Sequence, residues 1–156
     1  MTETPIFIQD DFYVMGNLCM AAIAVGHGDR ARQIMSLIQR ERPNRAQGFV
    51  MEALFLHNAG KTADAIAVLE TPAARAAEIG RDEALALYVV LLGASGQEER
   101  ASALGQRMIG DGVLRSSTSR YMVLSVIEKA GDLPDPAGAR VGAGAGVKAV
   151  PQPAQA

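Results

Sequence analysis

Few residues of this chain are equipped for chemistry, and their spacing argues against catalysis. The two histidines are His27, set between Gly26 and Gly28, and His57, followed two residues later by Ala59-Gly60. An imidazole titrates near neutral pH and serves as a base or a metal ligand. The single cysteine, Cys19, could act with His57 as a nucleophile and base, but no orienting third group or nucleophile motif accompanies them. One cysteine also excludes an intrachain disulfide and a cysteine-rich zinc site. The acidic pair Asp10-Asp11 is better placed to cap a helix and complement its dipole. The basic run Arg40-Glu41-Arg42-Pro43-Asn44-Arg45 suits a helix C-terminus and a solvated turn. Gly138, Gly142, Gly144 and Gly146 superficially suggest a phosphate loop, yet no strand precedes them and no helix follows. No catalytic residue, metal ligand or cofactor is therefore expected.

The composition points to helices. Of 156 residues, 49% are apolar but only 4% aromatic, there is no Trp, and 27 residues are Ala. Small unbranched side chains form helices well and strands poorly. A net charge of -2 excludes a strongly basic nucleic-acid binder, and no aromatic platform for bases is present. Charged residues interrupt every apolar run before it reaches the roughly 18 residues of a membrane span. The start, Met1 to Pro5, lacks a basic, apolar signal, and a lone cysteine suits a reducing compartment. A cytoplasmic location is expected.

Three parts are expected: an arm at 1–9, a helical domain at 10–131, and a flexible tail at 132–156 rich in Ala, Gly and Pro. The first helix should be capped by Asp10 or Asp11 and carry Phe12, Met15, Leu18, Cys19, Ala22 and Val25 on its packed face. Asp29, Asn44, Thr62 and Thr71 are expected to open further helices. A short helix or turn at 72–79 precedes helices at 83–94 and 98–109. Asp82 offers a cap there, and Ser116, Ser117 or Thr118 caps the last helix, through Tyr121, Leu124, Ile127 and Lys129.

The breaks recur. Gly26, Gly60 and Gly96 are each followed five residues later by an alanine, Ala31, Ala65 and Ala101. The first two glycines are 34 residues apart and the next two 36. A 34-residue period of paired helices is the tetratricopeptide signature. The fold expected is thus all-α: a right-handed, tetratricopeptide-like stack of antiparallel helix pairs, about three repeats and a C-terminal capping helix. An unrelated helical bundle is the alternative. Gly105, where the motif has a large apolar residue, marks the third repeat as degenerate.

In such a stack the first helix of each pair lines the concave face. The period places Tyr13, Met20 and Ile23 there from the first repeat, Val50, Leu54 and His57 from the second, and Ala86 and Val90 from the third. Surplus apolar surface on such a face suits an amphipathic helix or an extended apolar peptide. The other reading is that these residues close on the last helix, 119–130, as core.

Several stretches carry a more specific likeness: Gly28-Asp29-Arg30-Ala31-Arg32-Gln33-Ile34, Glu41-Arg42-Pro43, Glu52-Ala53-Leu54 through to Gly60, Ala65-Ile66-Ala67-Val68-Leu69, and Leu85-Ala86-Leu87-Tyr88-Val89. With them the chain resembles the small tetratricopeptide accessory proteins of bacterial type III secretion, above all the needle-subunit co-chaperones. The resemblance covers roughly 10–130; the tail and the insertion from Thr71 to Gly80 depart from it. It implies a non-enzymatic chaperone that keeps a needle-type subunit monomeric by holding its amphipathic C-terminal helix in the groove, often beside a second small helical co-chaperone. Chaperones of translocator proteins share the architecture, and a self-associating scaffold is the remaining alternative.

Overall fold

The computed structural model describes residues 9–131. The tail from 132 and all of the arm but Gln9 lie outside the described residues. Eight helices run through them: α1 (Gln9–Ala24), α2 (Gly28–Glu41), α3 (Gln47–Asn58), α4 (Thr62–Glu70), α5 (Pro72–Ala76), α6 (Arg81–Ala94), α7 (Glu98–Gly110) and α8 (Ser117–Gly131). No strand forms among these residues; Arg45 and Ile79 make one isolated parallel bridge.

Three turns repeat one backbone design. Gly26, Gly60 and Gly96 adopt φ of 79°, 77° and 81°, a left-handed conformation that costs a side-chain-bearing residue about 1–2 kcal/mol. The next amide then reaches back five residues: His27 to the Ala22 carbonyl at 2.7 Å, Lys61 to Leu56 at 2.9 Å, Gln97 to Leu92 at 3.0 Å. This closes the helix end by satisfying a carbonyl that the helix itself leaves unpaired. Downstream, Ala31, Ala65 and Ala101 are all buried, as are Cys19, Ala53 and Val89 seven residues before each glycine.

The helices pack as hairpins, α1 on α2, α3 on α4 and α6 on α7. The second helix of each hairpin also packs on the next first helix: α2 on α3, α4 on α6, α7 on α8. The first helices meet in series, α1–α3–α6–α8. Two core clusters result. The smaller joins Phe12, Cys19, Ile23, Ala31, Met35, Ile38 and Met51. The larger runs from Phe49 and Ala53 through Leu87, Leu91 and Leu92 to Val123.

Several local expectations are corrected. On α1, Leu18 points to solvent at 58% exposure, whereas Gly16 and Ile23 are buried; Val25 falls just past the end of α1 and is 68% exposed. Asp10 and Asp11 lie in the first turn of α1, and α2 and α3 are preceded by His27 and Ala46 instead of Asp29 and Asn44. Asn44 is drawn away by tertiary partners: its carbonyl accepts from Ile79 N at 3.0 Å and its Oδ1 from Glu78 N at 3.3 Å. Asp82 does the same, accepting from Ser116 N at 2.9 Å. Thr62 is the first residue of α4, after Lys61. Thr71 does cap: its Oγ1 accepts from Ala74 N at 3.3 Å, with Pro72 in the first turn of α5. Ser116 Oγ accepts from Ser119 N at 3.4 Å. On α8, Tyr121 and Leu124 are exposed while Ser119 and Val123 are buried.

Gly105 has a tertiary reason. A Cβ there would lie 2.8 Å from Val123 Cγ1 and 3.2 Å from Ile127 Cδ1. The hydrogen at this position lets α8 press against α7.

Candidate partner-binding groove

The residues expected to line a concave face divide into three groups. Tyr13 and Met20 on α1 are open to solvent, at 69% and 42%. Val50 and Leu54 on α3 and Val90 on α6 are half-buried. Val50 and Leu54 pack partly against the larger core. Ile23 and Ala86 are buried, which corrects their placement on an open face. The cause is the number of neighbours. Ile23 belongs to the small cluster with Phe12 and Met35, and α6 is embraced by α3, α4, α7 and α8. His57 is half-buried, with its Nδ1 3.0 Å from Thr62 Oγ1, a contact that ties the end of α3 to the start of α4.

Two first helices close tightly at one end. A Cβ on Gly16 would collide with the Gln47 amide, so α1 rests on the start of α3 there. Beside it, the Arg42 guanidinium stacks 4.4 Å from the centre of the Phe12 ring. Arg40 forms an exposed pair with Glu41 at 2.9 Å. The basic run is thus engaged locally at both ends of α2's last turn.

At the other end of the series, α6 and α8 leave a cleft of about 360 Å³. Val90, Gly93 and Ala94 form one wall and Val126 and Ala130 the other, with Glu98 and Lys129 at the rim. α8 covers part of α6: a Cβ at Gly93 would lie 3.3 Å from Val126 Cγ1. The last helix therefore takes some of the apolar surface of α6 as core and leaves the rest as a cleft wall. Sequence reasoning placed Val90 but missed Val126 and Lys129, because the periodicity of α8 does not reveal which helix it meets.

The thiol and imidazoles do not form a reactive pair. Cys19 is fully buried, its Sγ donating to the Ala31 carbonyl at 3.9 Å, and burial pushes the thiol up from its ordinary value. His57 is held by Thr62, and His27 sits exposed in the turn after Gly26. No group of three or more His, Cys, Asp or Glu among the described residues is arranged to hold a metal. No helix among them is long and apolar enough to cross a membrane. Compared with protein-family models, curated proteins and solved structures, the chain matches none of them.

Proposed function

We propose that the chain is a tetratricopeptide-like stack that binds an apolar, amphipathic segment of another protein along α1, α3, α6 and α8. The supporting observation is the serial packing of these four helices, with Tyr13, Met20, Val50, Leu54 and Val90 leaving apolar surface along the series. The three identical glycine turns agree with a repeat. Each apolar side chain covered by a partner would contribute about 1.5–3 kcal/mol if fully buried. In keeping with the resemblance, the partner is a needle-type secretion subunit, held in the cytoplasm, without catalysis or a cofactor. A second small helical protein would complete the complex.

Co-expression with a needle subunit tests this reading. A soluble stoichiometric complex is expected, and Leu54→Glu and Val90→Glu should each weaken it at least about tenfold while the circular dichroism spectrum stays helical. A complex that survives both changes would sink the groove.

A second reading, self-association, draws on a different surface. Val14 and Leu18 are 55% and 58% exposed, a step of four residues puts them on one stripe of α1, and Val25, 68% exposed, follows just past the helix end. Light scattering of the isolated chain separates the two: a homo-oligomer that Leu18→Glu dissolves favours the scaffold.

A further inference from the structure

Away from the partner-binding face, α4, α5, α6 and α7 surround a cavity of about 290 Å³. Its walls are apolar, formed by Leu69, Ala84, Leu85, Leu104 and Met108, with the Tyr88 ring beside them. Its size is close to the lower end of small-molecule sites, roughly 300 Å³. The cavity sits where the repeat is stretched. The spacing from Gly60 to Gly96 exceeds that from Gly26 to Gly60 by two residues, and α5 occupies the connection.

Two cations also line this space, Arg75 from α5 and Arg81 from the first position of α6. Both are exposed, and neither makes an ion pair within 4 Å among the described residues. Nearby Glu70 accepts from Tyr88 and Arg100, and the charge of Arg75 also acts on it without a contact within 4 Å. An apolar cavity edged by two guanidiniums, neither closed into an ion pair within 4 Å among the described residues, selects for one kind of occupant. A guanidinium binds a carboxylate through paired, charge-assisted hydrogen bonds. An alkylammonium would be repelled, and a neutral chain would gain only the apolar contact.

We propose that this cavity is a binding site for a small apolar carboxylate, an alkyl or aryl chain ending in a carboxylate group. The chain lies against Leu85, Leu104 and Met108, and the carboxylate meets Arg75 and Arg81.

Octanoate is the probe and the Met108 methyl the reporter, followed by NMR of the full chain labelled at methionine methyls. Octanoate should shift the Met108 resonance saturably and bind at least about tenfold more tightly than octylamine. Arg75→Gln combined with Arg81→Gln should abolish that preference without changing the melting temperature, since both side chains are exposed. Leu104→Phe, which narrows the cavity, should weaken octanoate while leaving the helical spectrum intact. Octylamine binding as well as octanoate, an unmoved Met108, or undiminished octanoate affinity in the double arginine variant would each overturn the assignment.

Discussion

Tyr88 on α6 donates its hydroxyl proton to Glu70 on α4, and both side chains are joined by Arg100 of α7. Arg100 donates to the Tyr88 oxygen at 2.7 Å and to Glu70 at 3.3 Å. Three helices from two successive hairpins are tied at one point. The phenol's hydrogen bond is the main force holding the Glu70 carboxyl below its ordinary range, with Arg100 adding to it. Burial, then Glu70 itself, pushes the Tyr88 phenol up.

The signs give a pH profile. A depressed carboxyl stabilises the fold above its unfolded value of about 4.3, and that contribution fades as pH falls through the folded value. A raised phenol is stabilising below about pH 10, and that contribution is lost as pH rises through its folded value. Glu70→Gln should destabilise the protein at pH 7 by less than about 1 kcal/mol, as for other partly exposed pairs. The gap to wild type should shrink by pH 3, read by urea unfolding at both pH values. A gap that grows in acid would refute the role given to Glu70.

Two glycines of α7 should respond oppositely to alanine. At Gly105 the new methyl would press on Val123 and Ile127. Overpacking of about 1–3 kcal/mol exceeds the helix-propensity gain of about 1 kcal/mol, so the variant should melt earlier. At Gly110 nothing lies within 4 Å of the added Cβ. Gly110→Ala should stabilise by about 0.4–1 kcal/mol. Thermal melts of the two variants side by side make the comparison.

Leu92 is fully buried in the larger core, and Leu124 on α8 is 40% exposed. Truncation of Leu92 to alanine should cost about 2–5 kcal/mol. The same change at Leu124 should cost well under about 1 kcal/mol. Chemical denaturation midpoints distinguish them, and similar losses at both sites would contradict the packing described.

Cys19 should be inert in the folded protein. It is fully buried with its thiol pushed up by burial, and it is the chain's one cysteine. A thiol reagent at pH 8 should react at least about 100-fold more slowly with native than with unfolded chain, the rate following local opening. Fast native labelling would show that α1 separates from α2 readily.

The turns could be read from sequence because each depends on backbone conformation alone. Gly26, Gly60 and Gly96 announce their left-handed φ by being glycine, and the alanines five residues on announce close packing. The face of α1 could not be read, since no charged residue occurs between Phe12 and Gly26 to mark a solvent side. Asn44 and Asp82 looked like caps because their preference for Glu78 N and Ser116 N arises only when residues 34 positions away arrive. The same limit applied to the groove. Val50, Leu54 and Val90 kept partial exposure, but Ile23 and Ala86 were covered by helices whose approach the period does not encode. The two extra residues between Gly60 and Gly96 were visible as an irregularity, and only the packing around α5 shows the cavity beside them.

The division of the core into two clusters bears on how the molecule comes apart. α3 is the seam: Met51 and Phe55 face the cluster of α1 and α2, while Phe49 and Ala53 face the remainder. The α1–α2 hairpin can thus detach with only its own small cluster exposed, leaving the larger cluster intact. In native-state hydrogen exchange its amides should form a separate cooperative unit with a lower opening free energy than α6 and α7. Unfolding then proceeds by peeling from the amino-terminal end, and a ligand spanning α1 and α3 would act as a clasp across the weakest seam.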